Sequence, residues 1–166
     1  MVDVVPRRLI SIWRSIVTSP VLTLNGWVAF NVPRAVTALG ILLLMGLVAM
    51  HVYVVLTEPD PPLYFIVYTA VLAVACMTAA GAMVFAAKPL VPPAGWYWGS
   101  MVCLAFLGLY LVSRWVRLPG LVAVTARWDF APGTFAMAFA AAFVAVHTTV
   151  LSGINVAYPQ RRQWPD

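Results

Sequence analysis

Apolar residues come in four long blocks along this chain, and charged residues fall only outside them. The blocks cover residues 35–57, 63–87, 96–113 and 131–151, and none contains Asp, Glu, Lys or Arg. A membrane-spanning helix needs about 20 mostly apolar residues, with a range of roughly 17–25, and each block meets that length. Helix is the only sensible state, because an open strand in lipid leaves backbone groups unpaired. The pattern predicts an all-α fold: a polytopic membrane protein with four transmembrane helices in an antiparallel bundle. Short links at residues 58–62 and 88–95 force neighbouring helices antiparallel. The third link, residues 114–130, is the one place with room for a shaped surface. Its apolar middle, residues 118–126, is expected to dip back toward the membrane interface.

The block starts carry helix punctuation. Asn31 and Pro33 precede the first, Asp60-Pro61-Pro62 the second and Pro92-Pro93 the third, while Asp129 and Pro132 open the fourth. A polar cap satisfies early N–H groups, and proline costs little in a first turn, where its missing donor is not needed.

Ahead of the first block the period changes. Leu9, Ile12, Trp13 and Ile16 fall at i, i+3, i+4 and i+7, with Arg7, Arg8, Ser11, Arg14 and Ser15 largely off that stripe. Residues 6–17 therefore read as a basic amphipathic helix suited to an anionic membrane face. Residues 21–32, with the turn signal Asn25-Gly26, are apolar but too short to span. They read as an interfacial piece or as a segment packed on the bundle's inner rim. The expected organisation is an N-terminal interfacial segment (1–33), a four-helix transmembrane domain (34–157) and a short basic tail (158–166). Arg7 and Arg8 resemble the start of a signal peptide, but Arg14 breaks the following run and no clear cleavage site follows. The chain is taken as uncleaved.

Composition agrees with the pattern. Hydrophobic residues make up 63% and charged residues 9%, against about 45–50% and about 25% in soluble domains. Too few charges remain to cover a soluble domain, which excludes an ordinary cytosolic enzyme and a disordered tail. The net charge of +5 points to membrane orientation rather than nucleic acid, since excess Arg marks cytoplasmic edges. With the N-terminus inside, inner segments hold Arg7, Arg8, Arg14, Arg34, Lys88, Arg161 and Arg162, and outer segments hold Arg114, Arg117 and Arg127. Seven against three predicts a multi-pass plasma-membrane protein with both termini cytoplasmic. Trp96-Tyr97-Trp98, Trp115 and Trp128 mark aromatic belts at span ends.

Candidate chemistry is sparse. His51 and His147 lie inside spans, and intramembrane ionisable residues are functional candidates by default. They are the weak candidates for cofactor binding. Counted at 1.5 Å per residue, His51 lies about 25 Å from the inner end and His147 about 24 Å from the outer end. In a core of about 30 Å they sit near opposite faces, so one haem or metal held by both is not expected. Hydrogen bonding between helices is the more common role for such a residue. Cys76 and Cys103 form no CxxC, and no nucleophile elbow occurs. No catalytic residue, no metal site and no cofactor is expected. The absence of a carboxylate from every span counts against a proton-coupled solute transporter. Arg7, Arg8, Arg14, Arg114, Trp115, Arg117, Arg127 and Trp128 are candidates for partner or lipid contact, because Arg and Trp are hot-spot residues and Arg suits lipid phosphates. Plain anchoring of span ends explains them as readily. Ala-rich stretches in the second and fourth blocks let helix backbones approach, so these two blocks are expected at the centre of packing. Gly95 and Gly99 form a GxxxG at a helix mouth, which alone is weak ground for a dimer seam.

The layout of a basic N-terminal helix with Arg7-Arg8, four Ala- and Val-rich spans and a tail with Arg161-Arg162 resembles small four-span membrane proteins of actinobacteria. Some of those are accessory subunits of respiratory complexes. The resemblance covers roughly residues 6–162 and transfers no catalytic residue. The expected function is a non-catalytic accessory or assembly subunit of a larger respiratory or envelope-transport complex, with the lipid bilayer and other membrane subunits as partners and no nucleic acid. The alternatives are a small redox, quinone-linked or haem-contacting subunit, and then a small solute transporter.

Overall fold

A computed structural model of the chain describes residues 33–84, 91–116, 118–121, 125, 128–155 and 157. The amphipathic helix expected at residues 6–17, the piece at 21–32 and the tail at 158–166 lie outside the described residues. Among the described residues four α-helices follow in order: α1 (Pro33–Thr57), α2 (Leu63–Val84), α3 (Val91–Trp115) and α4 (Ala131–Leu151). Each is long and apolar enough to cross a membrane, so the chain is a multi-pass helical membrane protein.

The helix ends follow the sequence punctuation except that α1 begins two residues before its expected start and α3 is longer at both ends. Pro33 occupies the first position of α1. The carbonyl of Pro62 opens α2 by accepting from Phe65 N at 2.9 Å. Helix α3, however, begins at Val91, five residues before the expected start at Trp96. Pro92 and Pro93 fall inside its first turn, where a missing N–H breaks no helical bond. It also runs past Ser113 to take in Arg114 and Trp115, because a cation in a last turn is favoured by the helix dipole. Helix α4 matches its expected span, residues 131–151.

The chain divides into two compact units. The smaller includes the end of α4, where Gly153 takes a left-handed φ of 77°. There Ile154 N and Asn155 N bond to Thr149 O at 3.0 and 3.1 Å, and Asn155 Nδ2 donates to Thr149 Oγ1 at 2.8 Å. A glycine in this conformation turns the chain back onto the last free carbonyls of a helix.

The larger unit, Thr37–His147, holds the packed core. Helix α3 is its most enclosed helix, with 39% of its central stretch buried against 28% for each of the others. The expectation that α2 and α4 would form the centre is therefore replaced. Small residues decide how close two backbones come, but the glycines and large rings of α3 decide which helix all the others touch. A Cβ on Gly95 would stand 2.8 Å from Met83 N and 2.9 Å from Ala79 O, so α3 meets the backbone of α2 directly. One turn on, Gly99 receives the ring of Phe143 from α4. Both glycines of the GxxxG are thus used within the chain. Trp96, 1% exposed, stacks on Phe143 at 5.2 Å and reaches Gly40 of α1. Gly46 of α1 faces the ring of Phe139 from α4.

Residues 118–121 and Thr125, from the connection after α3, are folded onto the unit. Leu118, Pro119, Gly120 and Leu121 form a tight turn, with Leu121 N to Leu118 O at 3.1 Å and Gly120 at φ 76°. Proline followed by a positive-φ glycine is the signature of a type II turn. Thr125 Oγ1 donates to Leu121 O at 2.7 Å and accepts from Leu118 N at 3.2 Å. The hydroxyl of Tyr64 on α2 donates to Pro119 O and ties the turn down. Leu121 and Thr125 are buried as a result.

Candidate functional site

The two histidines occupy different nests, separated along α3. His147 projects from α4 toward the early turns of α3. Its Nδ1 lies 2.6 Å from Ser100 Oγ, a buried bond between two helices. Trp96 stacks on its ring at 5.7 Å and Tyr97 meets it edge-on at 5.0 Å. His51 projects from α1 toward the later turns of α3 and the start of α2. Its Nδ1 lies 2.9 Å from Leu47 O, one turn back on its own helix. Because a carbonyl only accepts, Nδ1 carries the proton there, and neutral His51 then presents Nε2 as an acceptor. Phe65, Tyr68 and Phe106 surround the ring at centroid distances of 6.4, 5.6 and 5.1 Å.

The nest of His51 opens into a cavity of about 350 Å³. Its walls come from all four helices and from the folded connection: His51 and Val54 from α1, Phe65 and Tyr68 from α2, Phe106 and Tyr110 from α3, Ala136 from α4, and Leu121 and Thr125 from the turn. Its far end holds Arg114. This guanidinium is 6% exposed and sits over the Tyr110 ring at 4.2 Å. It also lies against the start of α4, where a Cβ on Gly133 would stand 2.7 Å from Arg114 Nη2. Eight residues separate Phe106 from Arg114, about 12 Å along the helix axis. The cavity is thus elongated, with His51 at one end and a buried cation at the other.

The remaining sequence candidates distribute unevenly. Arg114, expected at a lipid or partner surface, is interior. Trp115 and Trp128 are exposed and meet edge-to-face at 6.4 Å. Arg7, Arg8, Arg14, Arg117 and Arg127 lie outside the described residues. Cys76 and Cys103 are buried free thiols. Among the described residues no group of three or more His, Cys, Asp or Glu could hold a metal ion.

Sequence reasoning passed over Phe65, Tyr68, Phe106, Tyr110 and Ser100. A signal was there for three of the cavity residues: Phe106, Tyr110 and Arg114 repeat at i, i+4 and i+8, one face of a helix. Two rings leading to a cation on the same stripe mark a lined channel better than any single residue does. Comparison with family models, with curated proteins and with solved structures gives no match.

Proposed function

We propose that the chain is a non-catalytic accessory or assembly subunit of a larger membrane complex, respiratory or envelope-transport in type. The observation that carries this reading is the outer face of α4. Thr134, Ala138, Ala141 and Ala145 fall at i, i+4, i+7 and i+11, and all four are exposed. The opposite stripe, Ala136, Ala140, Phe143 and His147, is buried at the same spacing. In lipid, helices associate by close packing at small residues rather than by hydrophobic transfer. A flat, exposed stripe of this kind is therefore suited to another helix, whereas the outer face of α2 carries Val67, Val71, Val74 and Met77. The polar groups inside the spans serve packing, as Ser100 and His147 do by linking α3 to α4.

The proposed arrangement is an antiparallel bundle in the plasma membrane with both termini cytoplasmic. Three sets of contacts support alternation: His51 late in α1 meets Phe65 early in α2, Gly95 early in α3 meets Met83 late in α2, and Gly99 early in α3 meets Phe143 late in α4. The arginine count supports the orientation. Cysteine labelling from outside should succeed at a site introduced near Pro61 and fail near Gln160, and the reverse result would end this topology. For the subunit reading, photocrosslinkers at Ala138, Ala141 and Ala145 should capture one helix of a defined membrane protein. Val71 should not capture it. Equal capture from both faces, or lipid adducts alone, would refute it.

A second reading is favoured by one observation. His51 lines a cavity, and with Nδ1 committed to Leu47 O its Nε2 is the ring nitrogen that can accept from a ligand, which suits a redox or quinone-linked subunit. Haem absorbance in the purified protein, lost on His51→Ala, would replace the subunit reading with this one.

A further inference from the structure

We propose that the cavity between His51 and Arg114 binds a single-chain acidic amphiphile, with its anionic oxygen head at Arg114 and its apolar chain among the aromatic rings. This inference goes beyond the subunit reading and stands independently of it. Three features converge. The first is charge: Arg114 is the only lining residue with a permanent charge, and no carboxylate lines the cavity among the described residues. Arg114 also has interactions within the chain. A guanidinium offers five N–H donors in a planar fork, so it can serve a protein partner and a ligand head together.

The second feature is the start of α4, which borders the cavity through Phe130 just ahead of the helix and through Pro132 and Gly133 in its first turn. The positive end of a helix dipole favours an anion there. Asp129, just ahead of α4, is exposed and is not among the lining residues.

The third is shape. The cavity is about 350 Å³ and runs about 12 Å from Arg114 to the level of Phe106, which admits one alkyl chain and not a two-chain lipid. Its apolar walls end at His51. Leu109, Val112 and Tyr64 both line it and are exposed on the outside of the helices, while Leu118, Leu121 and Thr125 cover it from the connection. The opening therefore lies on the apolar flank, and the ligand arrives from the bilayer. A ligand that reaches Arg114 exchanges lipid around its chain for aromatic walls at little cost, so the head decides affinity.

The test uses the full-length protein in nanodiscs of neutral lipid, titrated with carboxyl-labelled dodecanoate read by NMR. Dodecyl phosphate and dodecanol serve as competitors. We expect saturable binding of one dodecanoate per chain. Dodecyl phosphate should displace it and dodecanol should not, and the tighter of the two anions names the head. Arg114→Gln should weaken dodecanoate at least tenfold, and Ala136→Leu, which fills the cavity without touching the cation, should abolish binding. Displacement by dodecanol as effective as by dodecyl phosphate would overturn the proposal, and so would an Arg114→Gln protein that keeps its affinity. If Arg114→Gln does not fold, Ala136→Leu decides: unchanged binding there places the amphiphile elsewhere and overturns the proposal.

Discussion

The bundle is built differently at its two ends. Around Gly95, the α2 backbone, Trp96, Phe143 and His147 fill the space, with Ser100 bonded to His147 of α4 and Trp98 Nε1 donating to Ala75 O of α2. Around His51 and Arg114, rings stand apart and enclose a void. Both ends use aromatic residues from α3, so ring content does not separate them. Glycine does. At Gly95 and Gly99 the neighbours close in until atoms touch, whereas the later turns of α3 carry Phe106, Tyr110 and Arg114, which hold the other helices away. A packed end fixes geometry, and a hollow end is free to take a ligand.

Mutations should separate the two ends by size of effect. Phe143→Ala at the packed end removes a fully buried ring and should cost about 3–5 kcal/mol of unfolding free energy, measured by reversible unfolding in mixed micelles. A cost under about 1 kcal/mol would mean that this end is loosely packed after all. Gly95→Ala should come next. The added Cβ meets backbone atoms of Met83 and Ala79, which cannot swing aside, and overpacking of this kind costs about 1–3 kcal/mol. Equal stability of variant and parent would show that α2 and α3 can separate freely.

The same addition at the hollow end should behave otherwise. Ala136→Leu places new methyl groups into the void and should change stability by less than about 1 kcal/mol. A loss as large as that at Gly95 would make the two ends alike. The smallest effect belongs to the hydrogen bond of His147. Intramembrane hydrogen bonds average about 0.6 kcal/mol, so Ser100→Ala, which breaks that bond and leaves the His147 ring stacked on Trp96, should lower stability by about that amount. A much larger loss would mean that the bond does more than join two helices.

Four helices were legible because lipid imposes a length and a polarity that sequence alone reveals. Pro92 and Pro93 misled the start of α3, since proline both precedes helices and sits in their first turns, and only the backbone decides between them. Arg114 was misplaced for a related reason. An arginine at the end of an apolar block normally reaches water, and nothing local says that Tyr110 beneath it and Gly133 opposite will enclose it. The separation of the two histidines was legible from residue counting along the helices. The cavity between His51 and Arg114 was not, because a void is a property of residues that fail to meet. Five helix and loop segments contribute its walls, and no sequence window contains them together.

The approach of α3 to α2 at Gly95 has a consequence for the order of assembly. Contact there is made largely through Ala79 O and Met83 N, with Met83 Cγ beside them. Adhesion at that point depends on the smallness of position 95 and of the buried Ala79 facing it. Helices α2 and α3 are also adjacent in the chain, so their meeting requires only a short connection to close. The hairpin is then the natural first intermediate after insertion, formed while the partners of Trp96 and Phe143 are still arriving. In arrested nascent chains that expose α3 but not α4, residues 79 and 83 should already be shielded from lipid-soluble labels. Labelling equal to that of Val71 would place hairpin formation later.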